Sequence, residues 1–296
     1  MPLSHVLIAL GVVAIWGTNF VVMKLGLAVW PPLLFVALRF ALSALPVLAL
    51  PRPKTPWHLL AAYGLFIGVG QFGLLFWAMQ NDITPGLASL VIQVQAFFTI
   101  GMSAWLWGEQ VRREHVAGLV LAAAGIALIA WRSGALDGAA DASGRQVTVL
   151  GLGVVLLAAA SWSAGNLVVK RVGRTDVLPF IAWSSLYPAL TLVVLSLLFE
   201  GPARIGAAFA EAGVGAWSAA LWQAAANTLF GYGAWSWLLA RHPAVQVAPM
   251  ALLVPVFGMG ASSLVLAEPL PAWKIAAAVM VMGGLAVTVF AGRLRR

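Results

Sequence analysis

Polar side chains are scarce in this sequence, and those that interrupt its long apolar stretches are the residues able to do chemistry. Arg39 is the one charge well inside such a stretch. The other candidates are amides and aromatic side chains: Asn19, Tyr63, Gln71, Trp77, Gln95, Asn166, Gln223, Asn227 and Trp235. Uncharged amides hydrogen-bond both the amino and the carboxyl group of a zwitterion, and aromatic rings stack against planar or apolar groups. These residue types predict a binding site for a small organic molecule.

The acidic residues lie elsewhere. All nine are at the ends of apolar stretches or between them: Asp82, Glu109, Glu114, Asp137, Asp141, Asp176, Glu200, Glu211 and Glu268. Proton relays through membranes normally use a buried Asp, Glu or His, and metal sites need clustered His and acidic ligands. The chain also has no cysteine, which excludes disulfides and thiol chemistry. We predict no catalytic residue, no metal ligand and no cofactor.

Each candidate also has a structural interpretation. A buried amide must face protein or water, and a hydrogen bond between two helices satisfies it as well as a ligand does. The structural role is favoured for Asn19 and Asn166, because they begin two similar octets, NFVVMKLG (19–26) and NLVVKRVG (166–173). A buried Arg39 either binds carbonyl groups at a helix end or attracts a substrate carboxylate, and the first role is favoured. The aromatic residues are equally suited to packing between helices.

The composition places these residues in a membrane protein. The chain has 296 residues, of which 62% are hydrophobic and 9% are charged. A soluble domain carries about 25% charged residues, so this chain lacks the charges for a surface facing water. The net charge of +8 is interpreted as basic loops facing the cytoplasm, not as a nucleic-acid site.

Charges and Pro/Gly clusters divide the chain into ten apolar runs, each near the ~20 residues that a helix needs to cross a membrane. They lie near 5–28, 32–50, 58–80, 85–107, 115–131, 149–170, 178–199, 214–240, 244–267 and 272–292. A β-barrel would show shorter strands that alternate apolar and polar residues. The predicted fold is therefore all-α, an integral membrane protein with ten transmembrane helices.

The basic residues set the predicted orientation. We call the side on which the chain starts side one and the opposite side side two. With ten spans, side one receives eleven of the Lys and Arg residues and side two receives five, with Arg39 left inside a span. Basic residues are enriched in cytoplasmic loops. Side one is therefore predicted to be cytoplasmic, with both the N and the C terminus inside.

The two octets belong to a longer internal correspondence. Pro32 matches Pro179 at the same offset of 147 residues, and further along the offset is 159, where GEQ (108–110) matches AEP (267–269). Gly125 then matches Gly284 at 159. The anchors keep their order through both halves, so the halves are predicted to be repeats of one five-helix unit.

The longest polar segment, 132–148, follows five spans and precedes five more. It separates a first repeat, 1–131, from a second, 149–296. Because five is odd, the second repeat must enter the membrane from the opposite side. Inverted repeats of this kind are typical of secondary transporters, whose substrate site lies near the midplane between the repeats.

At this point the sequence resembles the drug/metabolite transporter superfamily, and within it the EamA type of ten-helix bacterial exporters. The resemblance rests on WGTNFVVMKLG (16–26), LRF (38–40), WLWGEQ (105–110) and AEPL (267–270), and it covers nearly the whole chain. Within the family the chain is most similar to the aromatic amino acid exporters of the YddG type. One feature departs from the family pattern: a Pro is common in the middle of the fourth and ninth spans. Pro255 occupies the ninth, but Ala96 stands in the fourth.

The resemblance implies a multi-pass transporter of the bacterial inner membrane, not an enzyme, that exports aromatic or other apolar amino acids by alternating access. The partners that it implies are an amino acid and the lipid bilayer, and no nucleic acid. It leaves the oligomeric state undetermined, and a monomer is compatible with it. Because no acidic residue lies at mid-depth, facilitated diffusion is expected in preference to proton coupling.

Two alternatives remain open. One is a different substrate, such as a nucleotide sugar, a purine or a cationic drug. A phosphorylated substrate should need several converging basic residues, and a lipophilic cation should need a carboxylate at mid-depth. The other is a membrane scaffold without transport activity, which predicts no large polar cavity.

Overall fold

The computed structural model describes residues 1–134 and 147–290, and all regular structure in these residues is helical. Most of the predicted inter-repeat segment, 135–146, and the C-terminal residues Arg293, Arg295 and Arg296 lie outside the described residues. The helices, in chain order, are α1 Leu3–Gly26, α2 Pro32–Ala44, α3 Trp57–Asn81, α4 Pro85–Trp107, α5 Arg113–Arg132, α6 Val149–Val172, α7 Val177–Phe199, α8 Pro202–Glu211, α9 214–241, α10 244–266 and α11 Ala272–Phe290.

Most of these helices are built to lie in a bilayer. Within the described residues, eight are long and apolar enough to span a membrane: α1, α3 to α7, α10 through Ala248–Leu266, and α11. A shorter apolar helix, Pro32–Leu48, comprises α2 and a 3₁₀ turn that extends it. The bounds follow the predicted spans closely, and the all-helical membrane fold is confirmed. The count of ten spans stays a prediction, because α2 is shorter than these eight helices and α9 is not among them. The orientation of the termini also stays a prediction.

Corresponding helices of the two halves are distorted at corresponding places. A π-helical segment occupies Leu65–Gly73 in α3 and Trp222–Phe230 in α9. Tight 3₁₀ turns occupy Ile92–Val94 in α4 and Ala248–Leu253 in α10. Both kinds of distortion commonly mark functional sites or hinges in helices.

The helix α8 is not among the ten predicted spans. This helix lies between α7 and α9, whereas the connection between α2 and α3 holds only the 3₁₀ turn Leu45–Leu48 and loop residues. The additional helix explains why the offset between the halves grows from 147 to 159 residues past this point.

The helices pair across the two halves in a reciprocal pattern. α2 packs against α7, and α5 packs against α11. The contact between α1 and α10 has its counterpart in the contact between α6 and α4. A two-fold relation between related five-helix units would produce these pairs, although the inversion of the repeat stays a prediction.

The contact between α5 and α11 depends on glycine. A Cβ atom added at Gly118 would overlap the carbonyl oxygen of Gly284, and one added at Gly284 would overlap that of Gly118. At Gly125 an added Cβ would lie 3.0 Å from the carbonyl oxygen of Ala277. Small residues allow helix backbones to approach this closely in membranes.

We therefore expect Gly118→Ala to lower the thermal stability of the protein in detergent. The methyl group must push α5 away from α11, and such overpacking costs about 1–3 kcal/mol. Gly153→Ala is the matched control, because nothing lies within 4 Å of a Cβ added there. Equal midpoints of thermal unfolding for the two variants would contradict the tight crossing.

Candidate functional site

Arg39 lies between the two halves, fully buried in α2. Its guanidinium reaches the π-helical segment of α9: Nε donates to Thr228 Oγ1 at 3.1 Å, and Nη1 donates to Gln223 Oε1 at 2.8 Å. With the Asn227 amide oxygen turned toward the guanidinium, that oxygen accepts from Nη2 at 2.8 Å and from Nη1 at 3.2 Å. The guanidinium carbon also lies 3.6 Å from the centre of the Phe72 ring, a cation–π contact.

These partners of Arg39 are all neutral. The ion pairs within the described residues are Lys170–Glu109 and Lys274–Glu268, so no described carboxylate compensates the charge of Arg39. A charge taken out of water without a counter-ion is costly, even when it is hydrogen-bonded. The partners are side chains and not the helix-end carbonyl groups that the sequence analysis considered.

A small cavity lies beside the guanidinium, with walls from two helices of each half, namely α2 and α3, and α7 and α9. Its volume is about 10 Å³, room for about one water. The helices must therefore separate before an amino acid can enter. The lining residues are Arg39, Phe40, Tyr63, Gly64, Ile67, Phe72, Ile181, Ser184, Ser185, Thr228 and Tyr232.

Local sequence explains why α3 lies so near α7 at this cavity. Cβ atoms added at Gly64 or Gly68 would overlap atoms of Ser184 or Pro188. Pro188, inside α7, cannot donate a backbone hydrogen bond, and its ring packs directly on these glycines. The pair of small residues thus sets the width of the cavity on one side.

The structure brings some of the candidate residues together and separates others. Arg39, Gln223 and Asn227 form one cluster, and Tyr63 lines the cavity beside them. Gln95 is remote from this cluster, since its Oε1 accepts from Asn166 Nδ2 at 2.9 Å and joins α4 to α6.

The remaining candidates also lie outside the cavity lining. Asn19 and Gln71 are buried, and the side-chain oxygen of each has no hydrogen-bond partner. Trp235 packs against Trp16, with ring centres 5.2 Å apart. Trp77 is 40% exposed on the surface of the bundle, and nothing brings it to the Arg39 cluster.

Sequence reasoning missed four polar residues of the cavity: Ser184, Ser185, Thr228 and Tyr232. The hydroxyl of Ser184 is buried and has no hydrogen-bond partner. The Nε2 atom of Gln223 is also buried without a hydrogen-bond partner. Thr228 directly follows Asn227, so its position next to a candidate residue was the available signal. The two serines carry no such signal, because their position depends on which face of α7 meets α2.

Two carboxylates of the second half bind the first residues of α2 and α4, which begin at the same end of the bundle. Glu268, 1% exposed, accepts from the Thr84 hydroxyl at 2.5 Å and from Gly86 N at 3.0 Å, at the start of α4. Lys274 Nζ donates to the same carboxylate at 3.1 Å. A carboxylate at a helix N-terminus is favoured by the free N–H groups and the helix dipole.

The second of these carboxylates, Glu200, caps α2 in the same way. It accepts from Leu33 N at 2.7 Å and from Leu34 N at 3.0 Å, and the Ser196 hydroxyl donates to it at 2.6 Å. We call this end, fastened by Glu200 and Glu268, the latched end. Here polar groups of one half hold the helix starts of the other.

The opposite end is held differently. Glu109, the sequence match of Glu268, has a side chain that is 51% exposed and pairs with the similarly exposed Lys170. His5 in the first turn of α1 contacts His242 after α9, with Nδ1 and Nε2 2.6 Å apart. The matching carboxylates of the two halves therefore have unlike environments, one buried and one half exposed.

The histidine contact gives this end a dependence on pH. Desolvation lowers the pKa of His242, and His5, the terminal amine and Arg241 lower it further. A lowered pKa means that the neutral ring is the form favoured in the contact. The contact is therefore stable above the ordinary pKa of about 6.5 and weakens as the pH falls through and below that value.

We expect α1 to separate from α9 at this end when the pH is lowered from 8 to 5. Because the chain has no cysteine, spin labels on the exposed positions Leu7→Cys and Leu239→Cys report the distance directly. The distance should lengthen at pH 5, and a His242→Gln background should remove the change. An unchanged distance distribution across this range would show that the pair does not hold the two helices.

Comparisons with known proteins agree with this architecture. The sequence model of the EamA-like transporter family matches residues 3–131 and 149–290. A solved crystal structure aligns with a TM-score of 0.67 at 22% identity, over 98% of this chain and 97% of the other. At that identity the likeness shows a shared fold.

Curated relatives extend the comparison at the sequence level. A protein of Salmonella typhimurium named as a probable amino-acid metabolite efflux pump is 40% identical over 294 residues, 98% of this chain and 96% of the relative. A protein of Escherichia coli with the same name is 38% identical over the same shares of both chains. The E. coli inner membrane transporter YedA, described as uncharacterized, is 27% identical over 58% of this chain and 54% of its own.

Proposed function

Because this chain belongs to the EamA-like transporter family, a family of transporters and not of enzymes, we propose that it exports amino acids or closely related metabolites and binds their carboxylate at Arg39. The observation that carries the proposal is a fully buried guanidinium whose described partners are all neutral. A carboxylate is the ligand that a guanidinium binds best, through paired charge-assisted hydrogen bonds. The names of the two relatives near 40% identity support the same substrate class.

Aromatic or apolar side chains suit the rest of the path. Phe40, Phe72 and the two tyrosines line the cavity, and Trp16 packs on Tyr232 with ring centres 5.5 Å apart. Trp16 and Trp235 continue this aromatic surface along α1 and α9. A side chain of the substrate can stack against these rings once the helices separate.

The transport cycle is alternating access between two repeats, 1–131 and 149–296, joined by 132–148, in the bacterial inner membrane. The reciprocal helix pairs support a two-fold relation between the repeats, and the cavity lies between them. The arrangement described above is the state closed at the latched end. Opening that end requires α2 and α4 to leave Glu200 and Glu268, while the other end closes.

Transport proceeds by facilitated diffusion. The described carboxylates lie at helix ends, and Glu200 and Glu268 are occupied there as caps. A carboxylate relay for protons has no member at the depth of Arg39 in this part of the chain. Uphill movement of substrate in proteoliposomes, driven by a pH gradient alone, would refute this mechanism.

Counterflow in proteoliposomes tests the substrate class. Vesicles loaded with an unlabelled compound are diluted into the labelled compound, with tryptophan, phenylalanine, threonine and a purine tested in turn. We expect exchange of the aromatic amino acids and none of the purine. Exchange of the purine alone would reject the proposed substrate class, and no exchange of any compound would favour a scaffold.

A further inference from the structure

The positive charge of the Arg39 cluster limits which substrates the site can bind. This inference about the substrate rests on the proposed function. A free amino acid brings one negative and one positive group to a site that already holds one positive group. The described residues lining the cavity offer aromatic, aliphatic and hydroxyl groups but no carboxylate. The ammonium group would therefore lie in a buried site beside a guanidinium, with no negative partner for it.

The unpaired polar atoms of the site point in the same direction. Gln223 Nε2 is buried without a hydrogen-bond acceptor, although the Oε1 of the same amide accepts from Arg39. The buried hydroxyl of Ser184 on the cavity wall also lacks a partner. An ammonium group can only donate hydrogen bonds, so it cannot satisfy an amide N–H, whereas a carbonyl oxygen can. The site therefore holds one unused amide donor and one unused hydroxyl, and its described lining has no acceptor with negative charge.

We propose that the preferred substrates are amino-acid derivatives with a free carboxylate and an uncharged, acylated nitrogen. The carboxylate neutralises Arg39, so that the occupied site carries no net charge. The acyl oxygen accepts from the unpaired donors at Gln223 and Ser184 as the helices close around it. The uncharged amide nitrogen then adds no second positive charge to the buried site.

A matched series of compounds tests this proposal with the full-length protein in proteoliposomes. Phenylalanine, N-acetylphenylalanine and their two methyl esters are each tested as inhibitors of the counterflow of labelled phenylalanine. We expect N-acetylphenylalanine to inhibit at about one tenth of the concentration of phenylalanine, a difference of about 1.4 kcal/mol. The methyl esters, which lack the carboxylate, should not compete.

A designed acceptor should reverse the preference. Ser184→Asp places a carboxylate on the cavity wall, where it can pair with an ammonium group, and should favour phenylalanine over the N-acetyl compound. Ser184→Asn, which adds no charge, is the control and should keep the original order.

The outcomes separate this inference from the proposed function. Phenylalanine competing as well as or better than N-acetylphenylalanine in the unsubstituted protein overturns the inference and leaves the proposed function standing. Failure of every carboxylate to exchange or compete overturns both.

Discussion

Replacing Arg39 with methionine will abolish transport and change the stability of the folded protein little. In the occupied site, Arg39 and the carboxylate of the substrate form a buried charge pair. Truncating one partner of such a pair costs about 2–5 kcal/mol of binding free energy. This cost corresponds to a loss in apparent affinity of about thirtyfold or more. Counterflow of labelled phenylalanine at equal protein density measures the loss.

Stability distinguishes this role from a structural one. Without substrate, Arg39 is a buried charge held by neutral groups. Removing it relieves the cost of burying that charge but also leaves its buried acceptors on α9 without a donor, so the two effects on stability oppose each other. An arginine that only holds α2 to α9 would instead lower the midpoint of thermal unfolding when it is lost. Arg204→Met is the control for loss of a positive charge, because Arg204 is exposed on α8 and should affect neither measurement. Reduced stability together with normal transport by the remaining folded protein would contradict the account.

The second large effect concerns the latched end. Glu268→Gln will lower stability by about 3–5 kcal/mol, because it leaves Lys274 charged and buried without its negatively charged partner. Lys274 is 2% exposed, so solvent does not compensate the loss. The start of α4 also loses the charge of its capping carboxylate. Thermal unfolding in detergent measures the effect.

Glu109, the sequence match of Glu268 in the first half, provides the control for this prediction. Glu109→Gln removes the matching carboxylate of the first half, but that side chain is half exposed, and exposed ion pairs contribute about 0–1 kcal/mol. Adding Lys274→Met to Glu268→Gln removes the unpaired charge and should restore much of the lost stability. Equal effects of Glu268→Gln and Glu109→Gln would show that the buried latch does not stabilise this state.

The helices were predictable because their signal is local. Each apolar run between charged loops is about as long as a bilayer is thick, and the bounds of α1 and α6 follow directly from it. The helix α8 and the two π-helical segments carry no comparable pattern. They are seen only in the three-dimensional structure.

The site was predictable in its residue types but not in its grouping. Gln223 and Asn227 share a helical face by spacing, and Arg39 stands out as a charge in an apolar run. The faces of such helices are apolar on all sides, so sequence alone does not show which of them meet. For that reason Gln95 and Trp77 were grouped with Arg39, although the structure pairs the first with Asn166 and exposes the second.

The most direct test of the central claim is an experimental structure of the protein with N-acetylphenylalanine or phenylalanine bound. We expect the carboxylate of the bound molecule to lie about 3 Å from the guanidinium nitrogens of Arg39, in a cavity widened between α2, α3, α7 and α9. A molecule bound elsewhere, with Arg39 still held by Gln223, Asn227 and Thr228, would contradict the assignment of Arg39 as the carboxylate-binding residue.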